Sequence, residues 1–139
     1  MKRLNEKGFT LVELLSVIVI LSVVVLIATN AVVPMMGSAK KQVFATEANE
    51  IIKHAWTLYG KNGSGTKCYS YQDILDGGTL SKNDENYTGS VLIENNDGKM
   101  TYKIWLSNGT HMIEGKEADV SPDDVTESSE DASTVCGVN

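Results

Sequence analysis

The feature that most constrains this chain is an uninterrupted apolar run near its N-terminus. Residues 14–33 are twenty positions without a single charged side chain. A helix of that length spans about 30 Å, the thickness of a bilayer's hydrocarbon core. Because the run is apolar on every side, it predicts a helix for lipid or for the interior of an assembly. Many of its residues are β-branched, but its unbroken length favours a helix over a strand.

The charges on either side of this run predict its orientation. Only Lys40 and Lys41 follow it closely, whereas three cations precede it: Lys2, Arg3 and Lys7. The positive-inside rule therefore places the N-terminus in the cytosol and the rest of the chain outside. A secretory signal fits poorly, because its apolar region is only about 7–15 residues long and ends at a small-x-small site. A single-span anchor fits the length but leaves Glu13 unexplained.

Glu13 is an acidic residue at the start of this apolar helix. A carboxylate inside such a helix costs about 2.5–3.5 kcal/mol even on lenient insertion scales, so Glu13 is a functional-site candidate. On position alone, a side chain that reaches back to the membrane interface would also account for it. The surrounding sequence, KGFTLVEL at residues 7–14, favours the functional interpretation.

This N-terminal sequence closely resembles the precursors of type IV pilins. Those precursors carry a short basic leader ending in Gly, then Phe, with Glu as the fifth residue of the mature chain and a long apolar segment after it. Met1–Gly8, Phe9 and Glu13 occupy these positions here. The resemblance covers only the first third of the chain. It implies that a membrane prepilin peptidase cleaves between Gly8 and Phe9 and N-methylates Phe9.

Cleavage at this place creates an amine on Phe9, four residues before Glu13. Pairing with such an amine, in the same chain or in a neighbour, removes much of the cost of burying the Glu13 carboxylate. Lipid and a helical bundle are both apolar, so packing and charge neutralisation must bias the transfer between them. Glu13 is thus predicted to set the register at which each subunit docks. The implied partners are other pilin subunits, the prepilin peptidase, the membrane and its pilus assembly machinery.

The character of the helix changes after the apolar run. Pro34 lacks the N–H that the Asn30 carbonyl would accept, so a kink or local opening is expected there. From Ser38 to Tyr59 the apolar period becomes 3.6, and one face collects Phe44, Ala48, Ile51, Ile52, Ala55 and Tyr59. The predicted segments are a leader at 1–8, an apolar filament-core helix at 9–33, an amphipathic half-helix at 34–60 and a globular head at 61–139.

The head is predicted to be small and to contain an antiparallel sheet. Weak helical character at Tyr71–Leu75 precedes alternation and turn signals that predict three strands, at Ser90–Glu94, Lys99–Ser107 and Thr110–Glu114. The fold class is therefore α+β, with a long N-terminal helix packed on a three-stranded meander and an irregular C-terminal region. Trp105 falls on the opposite sheet face from Tyr102, where either the C-terminal segment covers it or it forms a contact surface.

Two cysteines, Cys68 and Cys136, lie 68 positions apart and outside any C-x-x-C pair. They therefore do not indicate a zinc knuckle or a thioredoxin-type site. In an exported domain they predict one disulfide, which would contribute about 4 kcal/mol in the chain-entropy treatment; in the cytosol they would be ordinary thiols. The predicted orientation favours the disulfide.

Composition and motifs argue against an enzyme or a nucleic-acid-binding protein. The net charge is −6, whereas phosphate binding needs a basic face. The two histidines, His54 and His111, stand in unrelated contexts and no Gly-rich phosphate loop is present, so no catalytic, metal or cofactor site is predicted. The segment from Ser121 to Thr134, which is rich in Ser, Asp and Glu, is interpreted as a solvated loop. A calcium site, as in some related pseudopilins, is an alternative with no diagnostic spacing behind it, on Asp119, Asp123 and Asp124.

Three functions fit these observations. The first is a structural subunit of a type IV pilus, held in the cytoplasmic membrane before assembly and exposed at the cell surface afterwards. The second is a pseudopilin of a type II secretion or competence apparatus, with the same N-terminal physics and a different head. The third is a single-span membrane protein in which Glu13 is incidental. Adhesion, motility, DNA uptake and biofilm formation occur in the pilin family, and all stay open.

Overall fold

The computed structural model describes residues 8, 10–78, 80 and 86–132. Within these residues the chain forms, in order, α1 (Leu11–Asn62), β1 (Lys67–Ser70), α2 (Tyr71–Asp76), β2 (Thr88–Asn96), β3 (Lys99–Ser107), β4 (His111–Glu117), a 3-10 turn (Pro122–Asp124) and β5 (Thr126–Glu127). The predicted class is confirmed: the fold is α+β, with a long N-terminal helix and an antiparallel sheet.

The chain divides into two compact units, Met1–Gly37 and Ser38–Asn139. In the first unit the large apolar side chains described between Leu11 and Met36 are exposed. This part of α1 contains a window that is long and apolar enough to cross a membrane, and none of that window is buried in the chain. As far as it is described, from residue 8 and from 10 to 37, the first unit is therefore an apolar helical segment without a core of its own.

Hydroxyl side chains inside the apolar segment are bonded within the helix. Ser16, Ser22 and Thr29 each donate to the carbonyl four residues earlier, at 2.8, 2.7 and 2.6 Å respectively. These bonds satisfy the hydroxyl protons locally, so an apolar environment does not have to supply an acceptor. α1 is helical on both sides of Pro34. The kink or opening expected at Pro34 stays a prediction.

The second unit holds the hydrophobic core. α1 contributes a buried face that includes Phe44, Ala48, Ile51, Ile52 and Ala55, as the 3.6 period predicted. The sheet contributes alternating residues of its inner face, namely Val91, Ile93, Ile104, Leu106 and Ile113. Tyr59, the last residue of the predicted face, is only half-buried. One helix face on one sheet face is the smallest arrangement that buries both apolar surfaces.

The sheet is larger than the predicted three-stranded meander. Its described strands follow the order β1-β2-β3-β4-β5, and each pair is antiparallel. The meander of β2, β3 and β4 is confirmed, but the predicted number of strands is wrong because β1 and β5 were missed. These strands have four and two residues, which is too short for an alternating pattern to stand out. The helical character at Tyr71–Leu75 corresponds to α2.

The pairing of β3 with β4 is irregular around Trp105. The register shifts between Ile104 and Leu106, and Gly115 on β4 has a φ of 59°. The Trp105 indole lies over Gly115, where a Cβ atom would come within 3.3 Å of Nε1. Glycine is therefore favoured here by the left-handed backbone, and a larger residue would also have to displace the indole slightly.

Candidate functional site

The first turn of α1 brings Thr10 and Glu13 together. The backbone N–H of Thr10 donates to Oε2 of Glu13 at 3.2 Å, and the backbone N–H of Glu13 donates to Oγ1 of Thr10 at 3.3 Å. The Leu14 N–H donates to the Thr10 carbonyl at 3.2 Å, which closes the turn. This reciprocal arrangement is a capping box, and it satisfies amide groups that the start of a helix otherwise leaves open.

The cap fixes the Glu13 carboxylate through one of its two oxygen atoms. The side chain is exposed, and its Oε1 atom has no hydrogen-bond partner among the residues that the structure describes. A negative charge at this end of α1 is also favoured by the helix dipole. Glu13 therefore presents one anchored oxygen and one oxygen that is open to a further donor.

The other residues of the predicted N-terminal site are only partly covered by the structure. Gly8 is exposed. Phe9, the predicted site of N-methylation, lies outside the described residues, so cleavage and methylation stay predictions. Thr10 was missed as a site residue, although its signal is present as Thr-x-x-Glu at residues 10–13, the capping-box pattern directly before an apolar run.

Cys68 lies on β1, opposite Leu92 of β2. No cysteine in the described part of the chain is free. Cys136, its predicted partner and the other cysteine of the sequence, lies outside the described residues. The Cys68–Cys136 pairing therefore stays a prediction.

The predicted loop at residues 121–134 is described as far as Ala132, and it contains the 3-10 turn Pro122–Asp124 and the short strand β5. Val120 and Val125 are buried in the core. The Lys116 Nζ atom lies 2.7 Å from Oδ1 of Asp124, and the Ser121 N–H donates to Oδ2 of Asp124 at 2.9 Å. The Lys116 ammonium, followed by the hydrogen bonds from Ser121, lowers the pKa of Asp124 to about 2. Most of the described residues of this segment are exposed, as predicted for a solvated loop, but Val125 and the Asp124–Lys116 pair fix it to the rest of the head.

The same contacts bear on the calcium alternative. Asp124 is engaged by Lys116, and Asp119 accepts a 3.3 Å hydrogen bond from the Tyr102 hydroxyl. Asp123 is exposed. Across residues 8, 10–78, 80 and 86–132, no group of three or more His, Cys, Asp or Glu side chains is placed to hold a metal ion. His54 is half-buried and lies 3.7 Å from Glu50 on the same helix, as expected for a boundary residue.

Comparison with known families supports the interpretation of the N-terminus. Residues 3–29 match the family model of the prokaryotic N-terminal methylation motif, which is typical of type IV pilins and pseudopilins. The match includes Gly8, Phe9 and Glu13. Comparison with curated proteins and with solved structures gives no match.

The motif covers residues 3–29 of the 139, so the likeness to type IV pilin-like proteins concerns the N-terminal segment with its long apolar helix and does not extend to the head. Proteins of this kind are generally structural and not enzymatic. The motif implies processing by a prepilin peptidase and handling by an assembly machinery. The apolar helix is consistent with anchoring of the precursor in a membrane.

Proposed function

We propose that this protein is a structural subunit of a type IV pilus, cleaved between Gly8 and Phe9 and polymerised through the apolar part of α1. The observation that carries the proposal is the exposure of the apolar side chains between Leu11 and Met36. A surface of this size and composition has to be covered, by lipid before assembly and by other copies of the same helix afterwards.

Glu13 is the residue that gives this assembly its register. Moving α1 from lipid into a helical bundle gains little hydrophobic energy, so a polar contact has to favour one axial position over the others. The free Oε1 of Glu13 accepts the N-terminal amine that cleavage creates on a neighbouring subunit, and Thr10 keeps the carboxylate in place for it. The ion pair between Glu13 and this amine removes much of the free-energy cost of an unpaired carboxylate in an apolar environment.

The membrane topology of the subunit also depends on the apolar part of α1 and the charges that flank it. Before assembly the subunit sits in the cytoplasmic membrane with its N-terminus inside and its head outside, and after assembly it belongs to an extracellular filament. The leader carries three cations and one acid, so its removal changes the net side-chain charge from −6 to about −8. The head is then in a compartment where Cys68 and Cys136 form a disulfide.

A pair of Glu13 variants tests the role of the charge separately from the role of the cap. Glu13→Gln keeps a side-chain acceptor for the Thr10 N–H but removes the charge, whereas Glu13→Ala removes both. Both variants are expected to be cleaved at Gly8 and to give few surface filaments. Ser16→Ala is the matched control, because Ser16 bonds only to its own helix, and its filaments should be normal.

Two measurements read the outcome: mass spectrometry of the N-terminus of the exported protein and electron microscopy of sheared surface filaments. Normal filaments from Glu13→Gln would refute the role of the carboxylate. An exported protein that still begins at Met1 would refute processing and leave a single-span membrane protein. A cleaved, methylated wild-type protein without surface filaments would assign the chain to the pseudopilins, which carry the same motif.

A further inference from the structure

Asn30 is a polar residue near the end of the apolar run. Four side chains in residues 14–33 are polar: Ser16, Ser22, Thr29 and Asn30. The three hydroxyls are bonded to carbonyls of their own helix, whereas no described residue bonds to the exposed side-chain amide of Asn30. Pro34 also lacks the N–H that the Asn30 carbonyl would accept. Asn30 therefore brings an unused donor and an open backbone acceptor to one place on the helix.

The donor and the acceptor of Asn30 point in opposite directions along the helix. Side chains of an α-helix lean toward its N-terminus, and its carbonyls point toward its C-terminus. The amide therefore turns away from the carbonyl of its own residue and does not bond to it. Asn30 and Pro34 are one turn apart, so both groups lie on the same side of α1. A parallel copy of the helix satisfies both groups when it is displaced along the axis by about one turn.

We propose that the Asn30 amide of each subunit donates to the open Asn30 carbonyl of the next subunit, beside Pro34. This contact rests on the proposed function and deepens it, because the partner is a second copy of α1 in the filament. Pairing of Glu13 with the neighbour's new N-terminus, four residues before it, displaces two parallel helices by about 6 Å. The neighbour's Asn30 is then level with Pro34, and its amide leans back into the turn between Asn30 and Pro34. Two contacts about 25 Å apart along the helix thus specify one register.

The contact is directional, as a filament requires. Each subunit uses its amide toward one neighbour and its carbonyl toward another, so the interface is heterologous and leaves both ends open for further subunits. Beside Asn30 the helix carries a groove whose lining is mostly apolar, with Ile18, Leu21, Val25 and Leu26. Such a surface packs against a second apolar helix and offers few competing partners for the amide.

The pair is needed in the filament more than in the membrane. Asn30 lies three positions before the end of the apolar run, about 5 Å along the helix. In the proposed membrane topology it is close to the outer interface, where water and headgroups bond to its amide. Inside a bundle of helices that water is excluded, and an unpaired amide is costly. Assembly therefore favours the register in which the amide and the carbonyl meet.

A double-mutant cycle on purified filaments tests the contact. Asn30→Leu removes the donor, and it should lower by several degrees the temperature at which half of the subunits leave the filament. Pro34→Ala supplies an N–H that occupies the carbonyl within its own helix, so in that background Asn30→Leu should have little further effect. Thr29→Val is the matched control: the Thr29 hydroxyl bonds to the Val25 carbonyl of its own helix, and its filaments should dissociate like the parent.

Two results of this cycle would overturn the contact. One is an Asn30→Leu filament as stable as the parent, and the other is an equal loss with and without Pro34. Both would leave the filament, and hence the proposed function, intact. A parent chain that forms no filaments would overturn the proposed function and this contact with it.

The offset between subunits can be measured without changing Asn30. Val23 and Ile27 lie seven residues before Asn30 and Pro34, on the same side of α1, and both are exposed. In filaments of a chain with Val23→Cys and Ile27→Cys, a short thiol cross-linker should join position 23 of one subunit to position 27 of the next. The product should be a ladder of multimers, with the parent chain as the blank.

The matched control combines Val19→Cys with Ile27→Cys, which would join only subunits displaced by eight residues. It should give no ladder, although Val19 is exposed on the same side of the helix. A ladder from the control pair, or none from the pair at positions 23 and 27, would overturn the offset. This measurement decides the proposal even if Asn30→Leu does not assemble.

Discussion

Asn49 of α1 forms two hydrogen bonds of 2.8 Å with the backbone of Val120, 71 residues later in the chain. Its side-chain nitrogen donates to the Val120 carbonyl, and its side-chain oxygen accepts from the Val120 N–H. Val120 is buried in the core, so both backbone groups would otherwise lose water without gaining a partner. The Asn49 side-chain amide thus fixes the chain at Val120, directly before the C-terminal segment, to the long helix.

Replacing Asn49 should therefore destabilise the head. Asn49→Ala leaves two buried backbone groups unpaired, and we expect it to lower the free energy of unfolding by about 1–3 kcal/mol. Thr57→Ala is the control, because the Thr57 hydroxyl is exposed and bonds only to its own helix; it should stay within about 0.5 kcal/mol of the parent. Urea denaturation of the two variants makes the comparison. If Asn49→Ala and Thr57→Ala lowered the free energy of unfolding by the same amount, Asn49 would contribute no more than an ordinary residue on the helix surface.

Thr10 should stabilise the start of α1. Thr10→Ala removes the acceptor for the Glu13 N–H, and the loss of an N-cap costs about 1 kcal/mol. Hydrogen exchange of the Glu13 amide in micelles should therefore become faster in Thr10→Ala. In Thr10→Ser it should stay near the parent rate, because serine supplies the same hydroxyl. Fast exchange in the parent protein would contradict the cap.

Pro34 should weaken the helix at the predicted kink. Pro34→Ala supplies the missing N–H for the Asn30 carbonyl and removes the ring clash, a change of about 3 kcal/mol in a helix interior. Exchange of the amides around residues 31–38 should slow down in this variant. Val33→Ala changes a neighbouring exposed side chain without changing the backbone donors, so its exchange should match the parent. Unchanged exchange in Pro34→Ala would argue against a local opening.

The stability of the head should depend on the protonation of Asp124. Lys116 and Ser121 lower the pKa of Asp124 from 3.8 to about 2, so this carboxylate is more acidic in the folded chain than in the unfolded chain. Its contribution is complete above pH 3.8 and is lost as the pH falls through about 2. Melting temperatures measured from pH 5 to pH 2 should thus fall less steeply in Asp124→Asn than in the parent. Replacing the exposed neighbour, Asp123→Asn, should leave the parent slope intact.

The parts of the fold that the sequence predicted are those with local signals. The apolar run, the 3.6 period after Ser38 and the alternation in β3 each depend on residues a few positions apart. The turn at Asn108-Gly109 was placed correctly between β3 and β4, although three residues separate the strands instead of two. The capping box of Thr10 and Glu13 was present in the same local form and was overlooked.

What the sequence determined by itself is the helix: its length, its apolar first part and the acid at its start follow from neighbouring residues alone. The tertiary structure decided the remainder. The strands β1 and β5 exist because β2 and β4 offer open edges to short segments with no pattern of their own. The bond from Asn49 to Val120 joins residues that nothing local connects. Hydrogen bonds between distant segments form only after the tertiary fold brings those segments together. The spacing of residues along the sequence does not predict which segments will meet.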